Sequence, residues 1–325
     1  MTTARLGLVG GGWIARQHLE ALGRLGRTNL VGVVSRTTET ADGVTAQWGG
    51  TGYADLDEML DQARPDVVYV AVPPYRAVSI GERLVARGVP FLTEKPLAAA
   101  DADGPPRLAD AIERAGLVVA VGDHLRALDI MAEVRDRLAE APPRLVVARW
   151  LDTTPGPAWW GRVDEGGGQV VEQATHLYDL ARWIMGDAVV VGAASTRDPL
   201  GSPRGVNVVD SSVAALRFAS GAVGSFANTR RIASAVIEVE FVSDGLLTTL
   251  TKRPDRGQGD WHARFDDGTV IRAISAERDP YETQAAAFLD AVDAGDPGRV
   301  LSTYADALQT DRLTRAVVAA TGAPG

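Results

Sequence analysis

The feature that most constrains this chain lies near its start. An apolar run at 6–9 passes straight into Gly10-Gly11-Gly12-Trp13-Ile14-Ala15 and then into an amphipathic stretch at 14–25. Leu6, Leu8 and Val9 around Gly7 make a strand-sized run, the following glycines permit a tight turn, and the spacing after them is helical. Strand, glycine turn and helix in that order open a βαβ unit. The alternation then continues, with apolar runs at 30–34, 67–72, 90–93 and 117–121 separated by amphipathic stretches at 39–48, 77–87 and 108–115. Strands apolar along their whole length are buried on both faces, so this part of the chain is expected to form a doubly wound parallel sheet with helices on both sides.

After Gly122 the pattern changes. Segments at 145–151, 189–196, 211–218, 222–228, 236–242 and 246–252 are longer, several alternate in polarity, and turn signals such as Ser243-Asp244-Gly245 separate them. Such strands, joined by tight turns, indicate antiparallel neighbours with one face in a core. One long helix is expected after Gly168, and helical spacing returns at 281–294 and 303–321. The chain thus divides into a doubly wound domain over 1–122 and an α+β domain over 123–325 on a mainly antiparallel sheet, with a last helix able to pack back on the first domain. In 236–242, Ile237, Val239 and Phe241 point one way while Glu238 and Glu240 point the other. An open sheet needs a cover, so a homodimer or homotetramer is expected.

Composition removes several classes of function. Forty-two acids against thirty-three bases leave a net charge of −9, the opposite of what a nucleic-acid reader needs. The chain has no cysteine, which excludes disulfides, thiolate catalysis and Cys-based metal sites. No apolar run approaches a membrane span and the start shows no signal-peptide pattern, so the expected location is the cytoplasm.

The glycine turn has the form G-x-G-x-x-A. Gly10 permits the turn, Gly12 lets a pyrophosphate approach the backbone, and Ala15 is small enough for close helix–strand packing, while Trp13 and Ile14 begin the helix whose amides face an anion. A plain glycine-rich turn is the alternative, but the position opening the first βαβ unit favours a dinucleotide. The second strand ends in Ser35-Arg36-Thr37 with no acid before Glu39. An acid there would favour NAD(H); an arginine flanked by hydroxyls suits a 2′-phosphate, so NADP(H) is favoured over NAD(H), against a merely solvated Arg36. Pro73 and Pro74 follow the next apolar run, either bordering the cofactor or simply starting a helix. Glu94-Lys95-Pro96 follows the run at 90–93, where ligands of doubly wound sheets lie. Only Lys95 and Lys252 are lysines in a chain that otherwise writes arginine, which marks Lys95 as a titratable amine held by its proline. Glu94 flanks the same edge as a cofactor contact, His124 as a contact to cofactor or substrate, and His18, on the first helix, is read as structural.

Within 169–186, Val170, Ala174, Leu177, Ala181 and Ile184 form an apolar stripe; Glu172, His176, Asp179 and Trp183 lie opposite. Trp183 is a poor choice for open water, so this second stripe is expected to face a cleft. His176 is the natural proton carrier, and Glu172 would orient it or hold a hydroxyl. A metal on Glu172, His176 and Asp179 is disfavoured by the lack of a second histidine partner. Trp159 and Trp160 precede the glycine run, as a wall for a sugar ring or as core aromatics.

With the glycine turn, Glu94-Lys95-Pro96, the segment from Gly122 to Arg126, and Gly-Gly-Gly followed by acid-x-x-x-His-x-x-Asp in place, the chain resembles the glucose–fructose oxidoreductase, inositol dehydrogenase and rhizopine-catabolism (GFO/IDH/MocA) oxidoreductase family over nearly its whole length. The resemblance implies NAD(P)-linked oxidation or reduction of a sugar, cyclitol or related polyol. It makes Lys95 the catalytic lysine, His176 its acid/base partner, and Glu172 the acid usually written as Asp. Residues expected to meet substrate are Lys95, Arg126, Trp160, Glu172, His176 and Asp179. Two positions depart from the family pattern: no histidine follows the Pro-Pro pair, and His124 stands where Asn is common. An NAD-dependent glycoside-cleaving enzyme and a non-catalytic dinucleotide sensor are the alternatives on the same fold.

Overall fold

The computed structural model describes residues 3–197, 206–252 and 261–322. In chain order its strands are β1 (Ala4–Val9), β2 (Thr28–Val34), β3 (Thr51–Tyr53), β4 (Val67–Val70), β5 (Phe91–Thr93), β6 (Val119–Val121), β7 (Pro143–Thr153), β8 (Ala188–Thr196), β9 (Ser211–Phe218), β10 (Val223–Thr229), β11 (Arg231–Ser243), β12 (Leu246–Lys252), β13 (Trp261–Asp266) and β14 (Ile271–Ser275). The α-helices are α1 (Trp13–Leu25), α2 (Thr38–Trp48), α3 (Leu56–Gln62), α4 (Pro74–Ala86), α5 (Gly104–Ala115), α6 (Met131–Glu140), α7 (Val163–Gly166), α8 (Gln169–Glu172), α9 (Thr175–Met185), α10 (Pro280–Ala294) and α11 (Tyr304–Ala320).

The chain forms two units, Met1–His124 with Tyr281–Leu308, and Leu125–Pro280 with Gln309–Gly325. The single boundary expected at 122 is therefore replaced by three crossings. Residues 281–308 join the first unit because Ala285, Phe288, Leu289 and Ala291 of α10 are buried among residues of α1 and β1.

In the first unit six parallel strands run in the order β3-β2-β1-β4-β5-β6. Successive side chains point to opposite faces, and both faces are apolar. Leu6, Leu8, Val67 and Tyr69 pack with Ala15, Leu19 and Leu22 of α1 and Phe288 of α10. Val9, Val68, Val70 and Phe91 pack with Met59, Leu84, Leu108 and Leu308. Each such fully buried side chain contributes about 1.5–3 kcal/mol. Strand order reverses between β1 and β4, which places the binding crevice of such a sheet beyond their carboxyl ends. β3 and α3 escape the sequence pattern: β3 is a short, mostly exposed edge, and α3 is a two-turn helix started by Asp55, which accepts a hydrogen bond from the Asp57 amide.

The second unit is built on an eight-stranded sheet, β14-β13-β12-β11-β7-β10-β9-β8, antiparallel except for the parallel pair β7–β10. Val146 and Ala148 of β7, Phe226 of β10 and Val239 and Phe241 of β11 meet Val134 and Leu138 of α6, Leu177, Tyr178 and Ala181 of α9, and Leu313 and Val317 of α11. The other face carries the exposed Val189, Val191, Val213, Val223 and Val236.

The helix expected as one piece after Gly168 is two. The carbonyl of Gln169 accepts amides from both Gln173 and Ala174, at 3.0 and 2.8 Å, so the ladder slips by one residue between α8 and α9. Among the described residues no helix is long and apolar enough to cross a membrane.

Candidate active site

The glycine turn is shaped by backbone. Gly10 has φ +108°, and a Cβ there would lie 2.1 Å from the Ala71 carbonyl oxygen, so only glycine lets β1 turn against the strand beside it. Ala15 is wholly buried under the sheet. Gly12 caps α1 in extended conformation with no side-chain cap, and a Cβ there would meet nothing within 4 Å. Uncapped amides at the N-terminus of a 13-residue helix, beside an open backbone, are a cradle that fits a pyrophosphate. Trp13 is 60% exposed and Ile14 half-buried at its rim.

Beyond β2, Ser35 is half-buried and Arg36 exposed, without a hydrogen-bond or ion-pair partner among the described residues. Thr37 is exposed, and its hydroxyl oxygen caps α2, accepting the Thr40 amide at 3.3 Å. Beyond β4, Pro73 is the cap and Pro74 the first residue of α4, a helix start in the ordinary sense.

Beyond β5 the chain runs through Thr93 and Glu94 to Lys95, which is half-buried, and the Lys95–Pro96 peptide is cis. Glu94, expected at the cofactor, is turned inward instead, with Oε1 2.7 Å from His18 Nε2. Burial stabilises that choice, because a carboxylate in the interior requires a hydrogen-bonding partner. Beyond β6, Ser302 donates to Asp123 at 2.8 Å, and half-buried His124 stacks on Tyr281 with centroids 5.1 Å apart. Burial also pushes the Tyr69 hydroxyl far above its ordinary range. Every cofactor-side residue named from the sequence thus follows the carboxyl end of a parallel strand.

In the second unit the slip between α8 and α9 separates Glu172 from His176. Glu172 is half-buried and accepts a hydrogen bond from the Trp160 indole N–H at 2.5 Å. Trp160 is 1% exposed, so it is the core aromatic of the two readings and holds the carboxylate. The His176 ring is buried and lies over Trp150, centroids 5.7 Å apart and planes at 25°. Around these two stand residues that sequence reasoning missed. Gln169 donates to the Thr229 carbonyl at 2.6 Å and to Gln173 at 3.2 Å; Gln173 and the Trp150 indole each reach Asp152 at 3.4 Å. Their only signal was the amide pair one helical turn apart, Gln169 and Gln173.

Arg126 and Asp179, expected to meet substrate, are given to each other. Arg126 Nε and Nη2 reach Asp179 at 2.7 and 2.5 Å with both side chains buried, and Thr310 donates to the same carboxylate at 2.9 Å. The slipped helix turns Asp179 inward, so the expected cleft-facing stripe of four is not continuous. Trp183 instead lies under the Arg135 guanidinium, 4.3 Å from ring centre to carbon. Among the described residues no three His, Asp or Glu side chains gather as a metal site.

A parallel sheet with this strand order and this glycine cradle defines a dinucleotide-binding Rossmann domain. The chain belongs to the GFO/IDH/MocA family: residues 4–123 match its oxidoreductase domain with the NAD-binding Rossmann fold, and residues 141–244 match its C-terminal domain. Myo-inositol 2-dehydrogenase of Thermotoga maritima is 24% identical over 314 residues, covering 91% of this chain and 90% of that one. Two solved structures share the fold at low identity. One is a 3-ketoreductase from Actinomadura kijaniata in complex with NADP and TDP-benzene, 21% identical, with a TM-score of 0.86 over 98% of both chains. The other is GenD2 from gentamicin A biosynthesis in complex with NAD, 22% identical, with a TM-score of 0.83 over 99% of this chain and 95% of that one.

Proposed function

We propose that this chain transfers a hydride, reversibly, between a nicotinamide dinucleotide and a secondary alcohol carbon of a sugar or cyclitol. The observation that carries the reading is the placing of Lys95 on the loop beyond β5, at the same carboxyl edge of the sheet as the Gly10–Gly12 cradle. When bound, the nicotinamide offers a C4 that accepts or returns the hydride. The Lys95 ammonium donates a hydrogen bond to the reacting oxygen and stabilises the negative charge that develops on it. His176 takes the hydroxyl proton during oxidation and gives it back during reduction. Glu172, aimed by the Trp160 indole, accepts a hydrogen bond from a neighbouring hydroxyl of the ring.

NADP(H) is the preferred dinucleotide in this reading, supported by exposed Arg36 after β2 and by the lack of an acid there. The protein acts in the cytoplasm as a homodimer or homotetramer; the row of exposed valines on one face of the eight-stranded sheet supports the second part.

The test is a turnover screen of sugars and cyclitols, myo-inositol included, with NAD⁺ and NADP⁺, alongside titration of NADH and NADPH. At least one secondary alcohol should be oxidised, NADPH should bind more tightly, and Lys95→Met should lower kcat by about 10²–10³-fold with cofactor affinity nearly unchanged. Wild-type rates in Lys95→Met, or no turnover across the panel, would overturn the reaction; tighter NADH binding would overturn the role given to Arg36.

A further inference from the structure

His18 has no part in that chemistry, yet it is 1% exposed and its Nε2 lies 2.7 Å from Oε1 of Glu94, the residue before Lys95. Burying two such polar side chains is costly, and apolar residues of similar volume would pack a helix on a sheet without that cost. The surroundings are built around the contact. The His18 ring meets Tyr69 and Tyr281 edge-on, each with centroids 5.2 Å apart. A Cβ at Gly122 would lie 2.7 Å from Oε1 and 2.8 Å from Oε2 of Glu94, so a side chain there would push the carboxylate from its seat. Tyr281 in turn stacks on His124.

The contact therefore joins three pieces of chain at one edge of the sheet. They are α1, which begins with the glycine cradle, the loop that carries Lys95, and the segment from Gly122 to His124. The Glu94 amide is already fixed to the Val70 carbonyl at 3.0 Å, which anchors the loop to β4. The side chain of Glu94 adds the bond to α1. We propose that the His18–Glu94 hydrogen bond sets the distance between the Lys95 amine and the dinucleotide cradle, making His18 and Glu94 positioning residues for hydride transfer. This rests on the reading of Lys95 given above. A displacement near 1 Å at a reacting group costs about 10²-fold in rate, so a single such tie carries a large kinetic effect.

Three variants of the full chain test it. His18→Phe keeps an aromatic ring and removes the nitrogen, and His18→Gln restores an amide that reaches Glu94. Glu94→Ala empties the seat against Gly122 without adding bulk, and serves if His18→Phe fails to fold. Activity is measured with the best substrate of the screen, and cofactor affinity by NADPH fluorescence. Because the chain has only two lysines, reductive methylation with ¹³C-formaldehyde gives a resonance for Lys95, with Lys252 as internal reference. In His18→Phe and Glu94→Ala, kcat should fall about 10- to 100-fold with the substrate KM little changed, and the Lys95 resonance should move while that of Lys252 stays. His18→Gln should recover most of the rate and the resonance position. Loss of thermal stability with kcat and the Lys95 resonance unmoved would overturn the proposal. If Lys95→Met abolishes turnover while His18→Phe and Glu94→Ala do not, the tie is wrong and the reading of Lys95 stands. If Lys95→Met itself is active, that reading fails, and the Lys95 resonance alone decides whether the tie exists.

Discussion

The two units hold their polar residues by different physical means. In the first, the residues of the candidate site follow the ends of parallel strands, and backbone shapes the cradle: Gly10 at positive φ against Ala71, Gly12 as the open cap of α1, Pro74 starting α4. In the second, Glu172 and His176 stand on two helices separated by a slip, and side chains hold them: an indole on the carboxylate, a ring under the imidazole, and a buried arginine–aspartate pair further along α9. A cradle built from backbone depends first on its glycines. A site built by side chains depends on every partner in the set.

The largest effect should come from Arg126→Met in the second unit. It leaves the Asp179 carboxylate buried with only the Thr310 hydroxyl as a described partner, so stability should drop by about 3–5 kcal/mol in urea unfolding. A loss below 1 kcal/mol would mean the pair is not a structural element of this unit. Next comes Gly10→Ala in the first unit, where both the positive φ and the Ala71 carbonyl oppose a Cβ. Strain of about 1–3 kcal/mol is expected together with a large loss of NADPH affinity, and unchanged affinity in a fluorescence titration would show that the turn does not hold the dinucleotide. The smallest is Trp160→Phe. It removes one hydrogen bond to a carboxylate and should lower kcat/KM for the sugar about tenfold while leaving cofactor affinity intact. An equal loss of cofactor affinity would blur the distinction between the units.

Much of the first unit was legible in the amino-acid order alone. Leu6, Leu8, Val67 and Tyr69 sit in strands apolar on both faces, and the glycine turn lies in the only context that gives it meaning. The second unit was less so. Its strands β7 to β12 were readable from alternation and turns, but β13 was not read although Trp261, Ala263 and Phe265 alternate with polar residues, nor was α6, a short charged helix whose apolar stripe is only Met131, Val134 and Leu138. The site residues divide in the same way. Lys95 and the glycines could be named because their local sequence fixes their backbone. Glu94, Arg126, Asp179 and Thr37 each have an internal partner that could not be read in advance, since a charged or polar residue carries no mark of whether its partner is a ligand or another part of the chain.

What the amino-acid order determined alone was local: where strands and helices form, where the chain must turn, and which residue types offer an amine, an imidazole and a carboxylate. Those follow from periodicity and from φ/ψ preferences acting over a few residues. The tertiary structure decided which polar groups are paired inside. His18 meets Glu94 across 76 residues and Arg126 meets Asp179 across 53, and such pairs are selected by the desolvation each would suffer alone.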